Sequence, residues 1–327
     1  MRKKIKKIFI LVFGIILILQ SGTNISSRNH EEKERASDTG RETVVITEKQ
    51  TVPKETQAEI KPAPEPMEET LEIHFLDVGQ ADCALLLYGN YSVLIDAGNN
   101  SDGTAIQNYL QKQSVEKLDY LILSHPHADH IGGADVIITK FDVDHILMPD
   151  CAADTATYRD VVDAMEYKNY VAEHPETGDT FTMDELSFQV LNSGNNGSDD
   201  LNNNSLVVRF TYGDNSFLFM GDAEEEEEID ILNAGYTLNS DVLKVGHHGS
   251  YTSSSSDFIC EVSPEYAVIS CGVDNDYGHP HSAALNTLRA AGSELFRTDE
   301  QGTVILTSDG KNITWNCEPC NDWQSGR

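Results

Sequence analysis

Positive charge is scarce in this chain. It has 23 Lys and Arg against 54 Asp and Glu, a formal net charge of −31 over 327 residues. That balance favours solubility and gives no general attraction to nucleic acid or anionic lipid. Backbone binding to a long polyanion through Lys and Arg is globally disfavoured. Long apolar runs are scarce too. Ile8 to Leu19 is the one uncharged apolar stretch of note, so the many membrane helices of a transport channel are not there. No internal repeat is apparent. The six cysteines, Cys83, Cys151, Cys260, Cys271, Cys317 and Cys320, do not demand a disulfide framework in a domain of this size. Cys83 and Cys271 fall in strand patterns and read as buried thiols. Cys317-Glu318-Pro319-Cys320 is a lone Cys-x-x-Cys, read as a local disulfide in preference to a redox pair or half a zinc site.

What is present begins with a basic segment, Met1 to Lys7, ahead of the apolar run, with Ser21, Gly22, Ser26 and Ser27 after it. Residues 1–27 therefore read as a secretory signal, with an uncleaved membrane anchor as the rival because no Ala-x-Ala site is present. No Cys follows the run, which argues against a lipoprotein. Either way, export from a bacterial cell is expected. Residues 28–70, rich in Glu, Lys, Thr, Pro and Ser, cannot bury a core and read as a disordered linker. It is either a tether to membrane or wall or a segment under little constraint.

Folding is expected over 71–317, with 318–327 as a C-terminal tail. Strands are expected at 71–78, 81–88, 91–96, 118–123, 144–149, 186–191, 205–212, 216–220, 241–246, 265–271, 294–297, 303–308 and 311–316. Helices are expected at 103–113, 131–140, near 155–168, after Asp222 and at 282–291. Glu224 to Glu228 reads as a solvated first helical turn that suits the helix dipole. Strands and helices in both halves imply an α/β protein of two sheets covered by helices on both sides.

The strand at 118–123 runs directly into Ser124-His125-Pro126-His127-Ala128-Asp129-His130-Ile131-Gly132-Gly133. Three imidazoles and a carboxylate within six residues at a strand end are a metal site rather than a solvated loop. His125 and His127, two apart in extended backbone, point the same way and can share one ion. Asp129 and His130, just past the turn, can reach a second. Such mixed donor sets suit Zn²⁺ or Mn²⁺, and two ions about 3.5–4 Å apart make a hydrolytic pair.

This pattern resembles the His-x-His-x-Asp-His signature of the metallo-β-lactamase superfamily. Asp96-Ala97-Gly98, Met220-Gly221-Asp222 and Val245-Gly246-His247-His248-Gly249-Ser250 resemble its further motifs in order. The phrase His74-Phe75-Leu76-Asp77-Val78-Gly79-Gln80-Ala81-Asp82 is similar to the opening strand of the extracellular hydrolase domain of ComEC-type DNA-uptake proteins and their standalone relatives. Asn275-Asp276-Tyr277-Gly278-His279-Pro280-His281 also resembles that group. The resemblance implies an αββα sandwich of two mixed sheets flanked by helices, with the site at the sheet edge. It implies two divalent ions sharing a bridging hydroxide. His125 and His127 would hold the first ion, Asp129 and His130 the second, and Asp222 both. Of the next pair, His248 is expected as a ligand of the second ion and His247 as the phosphate contact or acid. His247, Asp129 and His279 are thus the catalytic candidates, and Asn204, Ser205, Ser250, Asn275 and Tyr277 the substrate contacts. Asp77 and Asp82 could orient metal-bound histidines, although turn capping is the favoured reading for Asp82.

One departure stands out. The superfamily usually supplies a further His to the first ion between the metal loop and the bridging Asp. This chain has Asn202-Asn203-Asn204-Ser205 there, as the ComEC-like group has Asn-Ser. His145, inside a strand, and His174, in a loop, are not obvious substitutes. The expected activity is that of an exported phosphodiesterase or nuclease acting on a small or polymeric phosphodiester. The alternatives are a hydrolase of another extracellular ester (a phosphocholine ester on wall polymers, or a lactone) and a non-catalytic binding protein. Two divalent ions bring about +4 to the scissile group, which can outweigh the global charge for small phosphates more readily than for long duplexes. The sequence gives no indication of oligomeric state.

Overall fold

The protein is a computed structural model, described over residues 69–195 and 197–326. The expected signal or anchor, and nearly all of the linker, lie outside the described residues. The first half runs β1 (Leu71–Phe75), β2 (Ala84–Tyr88), β3 (Tyr91–Ile95), α1 (Gly103–Lys112), β4 (Lys117–Ile122), α2 (Ala128–Ile131), α3 (Ala134–Lys140), β5 (Asp142–Leu147) and α4 (Ala156–Lys168). Then follow β6 (Thr180–Met183), β7 (Leu186–Ser193), β8 (Leu206–Tyr212), β9 (Asn215–Phe219), α5 (Glu225–Ala234), β10 (Val242–Lys244) and α6 (Ser256–Val262). The chain closes with β11 (Tyr266–Ile269), α7 (Ser282–Ala291), β12 (Glu294–Arg297), α8 (Thr298–Gln301), β13 (Val304–Ser308) and β14 (Ile313–Trp315). β6, α6 and α8 were not legible in the sequence. The helix expected at 131–140 is two, because Gly132 and Gly133 separate α2 from α3.

Two seven-stranded mixed sheets result, ordered β14-β13-β1-β2-β3-β4-β5 and β12-β11-β10-β9-β8-β7-β6. Each has the same grammar. Hairpin-connected strands pair antiparallel, then crossovers through helices add parallel strands, β3 to β5 in one sheet and β9 to β12 in the other. Strand alternation sorts the side chains into layers. On β8, Leu206, Val208, Phe210 and Tyr212 enter the core between the sheets, joined by Phe75, Phe188, Phe217 and Phe219. Val207, one residue out of phase, lies instead among side chains beneath α5 to α7. On the other outer face Leu85, Leu94 and Leu121 pack against Ile106, Leu110, Ile137 and Ile138 of α1 and α3. The order of layers is helix, sheet, sheet, helix.

Residues beyond 317 are not loose. Arg297 donates to the carbonyls of Asp322 and Gln324, and the Gly326 amide to the Pro280 carbonyl. The local disulfide expected at Cys317 and Cys320 is corrected: all six cysteines are free. Cys317 packs against the core between the sheets and accepts from Gln301, whereas Cys320 packs against the helix-side core and donates to the Leu295 carbonyl. The intervening Pro319 leaves the two thiols on different packing surfaces.

Phe210 is fully buried in the central layer, beside Phe188 and Phe219. Phe210→Ala should cost about 3–5 kcal/mol, as for other large-to-small core changes. Chemical denaturation will check this, and a loss under about 1 kcal/mol would mean that the two sheets are not packed through this ring.

Candidate metal centre

Both sheets deliver strand ends to one edge, and backbone contacts clamp them there. The Leu206 amide, on β8, donates to the Ser124 carbonyl just past β4. Gly221, just past β9, has φ +55°, and a Cβ there would lie 2.8 Å from Ser124 Cβ. Only glycine allows the two strand ends to meet this closely. Gly132 has ordinary helical φ but no room: a Cβ would lie 2.2 Å from the Asn100 amide nitrogen. It lets the histidine loop fold onto the Asp96-Ala97-Gly98 segment, whose backbone pairs with His130, Gly132 and Gly133.

Asp96 is the brace of that loop. Its Oδ1 accepts from the Ser124 amide at 2.8 Å, and its Oδ2 accepts from Ser124 Oγ and His130 Nδ1, both at 2.8 Å. A carboxylate accepts from these donors, so His130 keeps a proton on Nδ1 and Nε2 is the atom that an ion can take. That Nε2 lies 3.1 Å from Asp222 Oδ1. His248 is fixed in the same sense: its Nδ1 donates to the Ser270 carbonyl at 2.9 Å, leaving Nε2 at 3.4 Å from Asp129 Oδ2 and 3.7 Å from Asp222 Oδ1.

Asp129, His130, Asp222 and His248 bring one donor atom each within 4.8 Å of one another. His130 Nε2, His248 Nε2 and Asp222 Oδ1 are all buried without a hydrogen-bond partner. Buried polar atoms are rarely left so, and three facing one another are the signature of a cation site. Imidazole and carboxylate donors fit a divalent transition-metal ion. Beside them, His125 Nε2 lies 2.9 Å from His127 Nδ1 and 3.8 Å from the other oxygen of Asp222. Asp222 thus has imidazoles facing both its oxygens, and those on the Oδ1 side, with Asp129, form the group close enough to hold an ion. Its amide is held by Ser205 Oγ at 3.0 Å.

His247 and His248 occupy consecutive left-handed positions, with φ of 47° and 51°. Such backbone costs about 1–3 kcal/mol per residue and persists where function demands it. It brings both rings to the site, with centroids 6.3 Å apart, where extended backbone would turn neighbouring side chains to opposite faces. His247 Nε2 lies 3.8 Å from Asp222 Oδ2.

His279 forms the opposite wall of the site. Gln80 Oε1 accepts from the Gly272 amide at 3.1 Å, which makes its Nε2 the donor to His279 Nδ1, also at 3.1 Å. The His279 proton is therefore on Nε2. Burial and then the neighbouring imidazoles of His248, His247 and His281 lower its pKa to about 3, so the ring is neutral at ordinary pH. Tyr277 is exposed and stacks on it at 5.6 Å. These residues, with Gln80, His127, Asp129, Asn202 and Asp222, line an open cavity of about 460 Å³. Among the described residues, no Lys or Arg lines it.

Several substrate contacts expected from the sequence are corrected. Asn204 is buried and spends its amide on the Ser198 and Asp200 carbonyls. Ser205 is fully buried under Asp222. Ser250 is buried and bonds Thr252, and Asn275 pins the His279 backbone from both sides. All four shape loops rather than face the cavity. The reading of Asp82 as a turn cap is overturned: its carboxylate takes Lys244 Nζ at 2.6 Å and lies 3.3 Å from His248 Nδ1. Asp77 does cap its own turn at Gly79. The acidic run is not wholly solvated, because Glu227 and Glu228 are buried; Glu228 accepts from the Ser254 and Ser255 amides, which lead into α6. His145 pairs with Glu173 on the surface and His174 with the Met148 carbonyl, so neither joins the site.

A family model described as the metallo-beta-lactamase superfamily matches residues 76–273, more than half of the chain. The chain belongs to the metallo-beta-lactamase superfamily. Its curated relatives include ComE operon protein 3 of Bacillus subtilis (strain 168), 30% identical over 77% of this chain and 35% of that protein. Another is the competence protein ComA of Neisseria gonorrhoeae, 34% identical over 70% of this chain and 31% of that protein. The chain thus spans about a third of the length of these relatives. Among solved structures, the metallo-beta-lactamase fold protein YhfI of Bacillus subtilis superposes with a TM-score of 0.51 at 14% identity, covering 73% of this chain and all of that one. That likeness shows the fold.

Two predictions follow from the buried charges. Burial pushes the Asp82 carboxyl up, but Lys244, His248 and His130 outweigh it and hold the pKa at about 2. The stability it contributes is complete above the ordinary carboxylate range and lost as pH falls through about 2. Asp82→Asn should destabilise the fold by about 3–5 kcal/mol at neutral pH, since Lys244 keeps its charge without a partner. Unchanged denaturation would contradict the pairing. For His248, burial opposes protonation, but Asp222, Asp82 and Asp129 raise the pKa to about 10. Proton and divalent ion therefore compete for its Nε2. Ion binding should release protons at neutral pH and tighten as pH rises, by up to about tenfold per unit. Calorimetry in buffers of different ionisation enthalpy will check this, and no proton release would contradict it.

Proposed function

We propose that this chain is an exported two-metal phosphodiesterase acting on small or single-stranded phosphodiesters, including nucleic acid. The observation that carries the reading is the cavity between Asp222 and His279. One wall gathers imidazole and carboxylate donors, the other presents a neutral N–H donor, and among the described residues no Lys or Arg lines the cavity between them. Two divalent ions, Zn²⁺ or Mn²⁺, held by the first wall would supply an activated water and positive charge. A phosphodiester brings one negative charge and a phosphoryl oxygen that needs a donor. His279 Nε2–H is placed to give that hydrogen bond from the far side, strengthening as charge builds on the oxygen. Gln80 holds the ring so that the donor, not the lone pair, faces the cavity. Tyr277 offers an exposed ring against which a base or other flat group can stack. Relatives named for competence and for recombination support a nucleic-acid substrate. The net charge of −31 favours short or single strands over long duplexes.

A second reading rests on the same net charge and the exposed Tyr277 at the cavity. An exposed aromatic face in an acidic chain suits a cationic head group such as phosphocholine.

The purified chain, loaded with Mn²⁺ or Zn²⁺, should cleave bis-nitrophenyl phosphate and single-stranded DNA or RNA faster than duplex DNA. Asp222→Ala should abolish turnover. His279→Phe should lower it by about 10²–10³-fold while the ions stay bound. Cleavage of phosphocholine esters or lactones without cleavage of diesters would favour the other readings.

A further inference from the structure

The first ion's donor group is one imidazole short by the superfamily pattern. We infer that His247 supplies it, aimed by Glu224 and Asn203, so that this chain completes its first metal set from the loop after β10 rather than from the segment before β8. The inference rests on the reading that the site holds two ions, not on the identity of the substrate.

The imidazoles of the site sort by what Nδ1 does. In His130 and His248 it donates, to Asp96 and to the Ser270 carbonyl, and Nε2 is the atom turned towards Asp222. His247 follows the same rule. Its Nδ1 lies 3.0 Å from Glu224 Oε1, an acceptor only, and 3.1 Å from Thr252 Oγ1. Its proton therefore sits on Nδ1, and Nε2 carries the lone pair. A carboxylate behind a histidine is the usual device for fixing a metal ligand. His279 does the reverse and keeps its proton on Nε2, which suits a donor to substrate and not a ligand.

Position agrees with tautomer. His247 Nε2 and His125 Nε2 both lie 3.8 Å from the same oxygen, Asp222 Oδ2, whereas His130 and His248 approach Oδ1. The imidazoles thus divide between the two oxygens; those at Oδ1, with Asp129, already lie within 4.8 Å of one another, and an ion at Oδ2 would draw His125 and His247 closer together. The consecutive left-handed residues make this possible, since both rings of a His-His pair then reach one carboxylate.

The segment before β8 carries no imidazole, yet it is engaged in the same arrangement. Asn203 Oδ1 accepts from the Glu224 amide at 3.2 Å, and Asn203 Nδ2 donates to Glu224 Oε2 at 3.5 Å. That leaves Glu224 Oε1 turned towards His247. Asparagine stands near where the superfamily places a ligand and instead steadies the residue that aims a different one.

The test is a titration of the metal-free full chain with Co²⁺ alone, followed by calorimetry and by visible absorption. His247→Asn is the variant of choice, because Asn tolerates left-handed backbone and is too short to reach the ion. Wild type should bind two ions. His247→Asn should weaken one of them at least tenfold and leave the other unchanged, and His248→Ala should weaken the other one. Glu224→Gln should weaken the same ion as His247→Asn, by about 10–100-fold. His145→Ala, which removes a surface imidazole paired with Glu173, should bind both as wild type does; Asn202→Ala tests the rival donor, since Asn202 Oδ1 is also buried at the cavity without a partner. Two ions at wild-type affinity in His247→Asn, or loss of that site in Asn202→Ala, would overturn the assignment. Should circular dichroism show His247→Asn unfolded, Glu224→Gln decides: unchanged affinities there overturn it as well. A Co²⁺ pattern as expected with no diester cleavage would leave the inference standing and remove only the proposed substrate.

Discussion

A carboxylate that is 2% exposed, with one oxygen lacking any hydrogen-bond partner, is the constraint on which the rest of the site depends. Asp222 cannot stay charged at that depth unless cations surround it. Imidazoles from the loop after β4 and the turn after β10 face it. Protons on some of them can meet part of the need, and their pKa values move accordingly: His130 and His248 are raised although burial opposes it. Divalent ions meet the need more fully, because they also take up the bare Nε2 atoms that have no other partner.

The fold exists, in this sense, to hold those strand ends together. Two sheets with the same grammar of hairpin and crossover bring β4 and β9 to one edge. Gly221 and Gly132 let them approach at distances a Cβ would forbid. Around the donors runs a ring of supporting carboxylates: Asp96 behind His130, Asp82 beside His248 and Glu224 behind His247. Lys244 offsets the charge of Asp82 in turn. Among the described residues no Lys or Arg lines the cavity, and bound divalent ions would supply the positive charge there.

Much of this was legible in the sequence, for physical reasons. His-x-His-x-Asp-His packs ligand chemistry into six residues, and few other demands produce it. Short apolar-rich runs bounded by turn residues, as at β2 and β8, announced strands. What could not be read were properties of backbone and long-range partners. Nothing in the dipeptide His247-His248 reveals consecutive left-handed conformations, which are what bring both rings to the site. Asp82 looked like a turn residue because its partner, Lys244, lies 162 positions away. Asn204, Ser205 and Asn275 are polar and near the motifs, but burial turned them towards backbone instead of substrate. In the acidic run, helical periodicity puts Glu227 and Glu228 inward while their neighbours face solvent.

The central claim is that Asp222 is shared by two ions. Crystals grown with Zn²⁺, measured on both sides of the zinc absorption edge, test it directly. The account predicts two anomalous peaks about 3.5–4 Å apart, one on each side of the Asp222 carboxylate. A single peak, or two that both leave Asp222 uncoordinated, would contradict it.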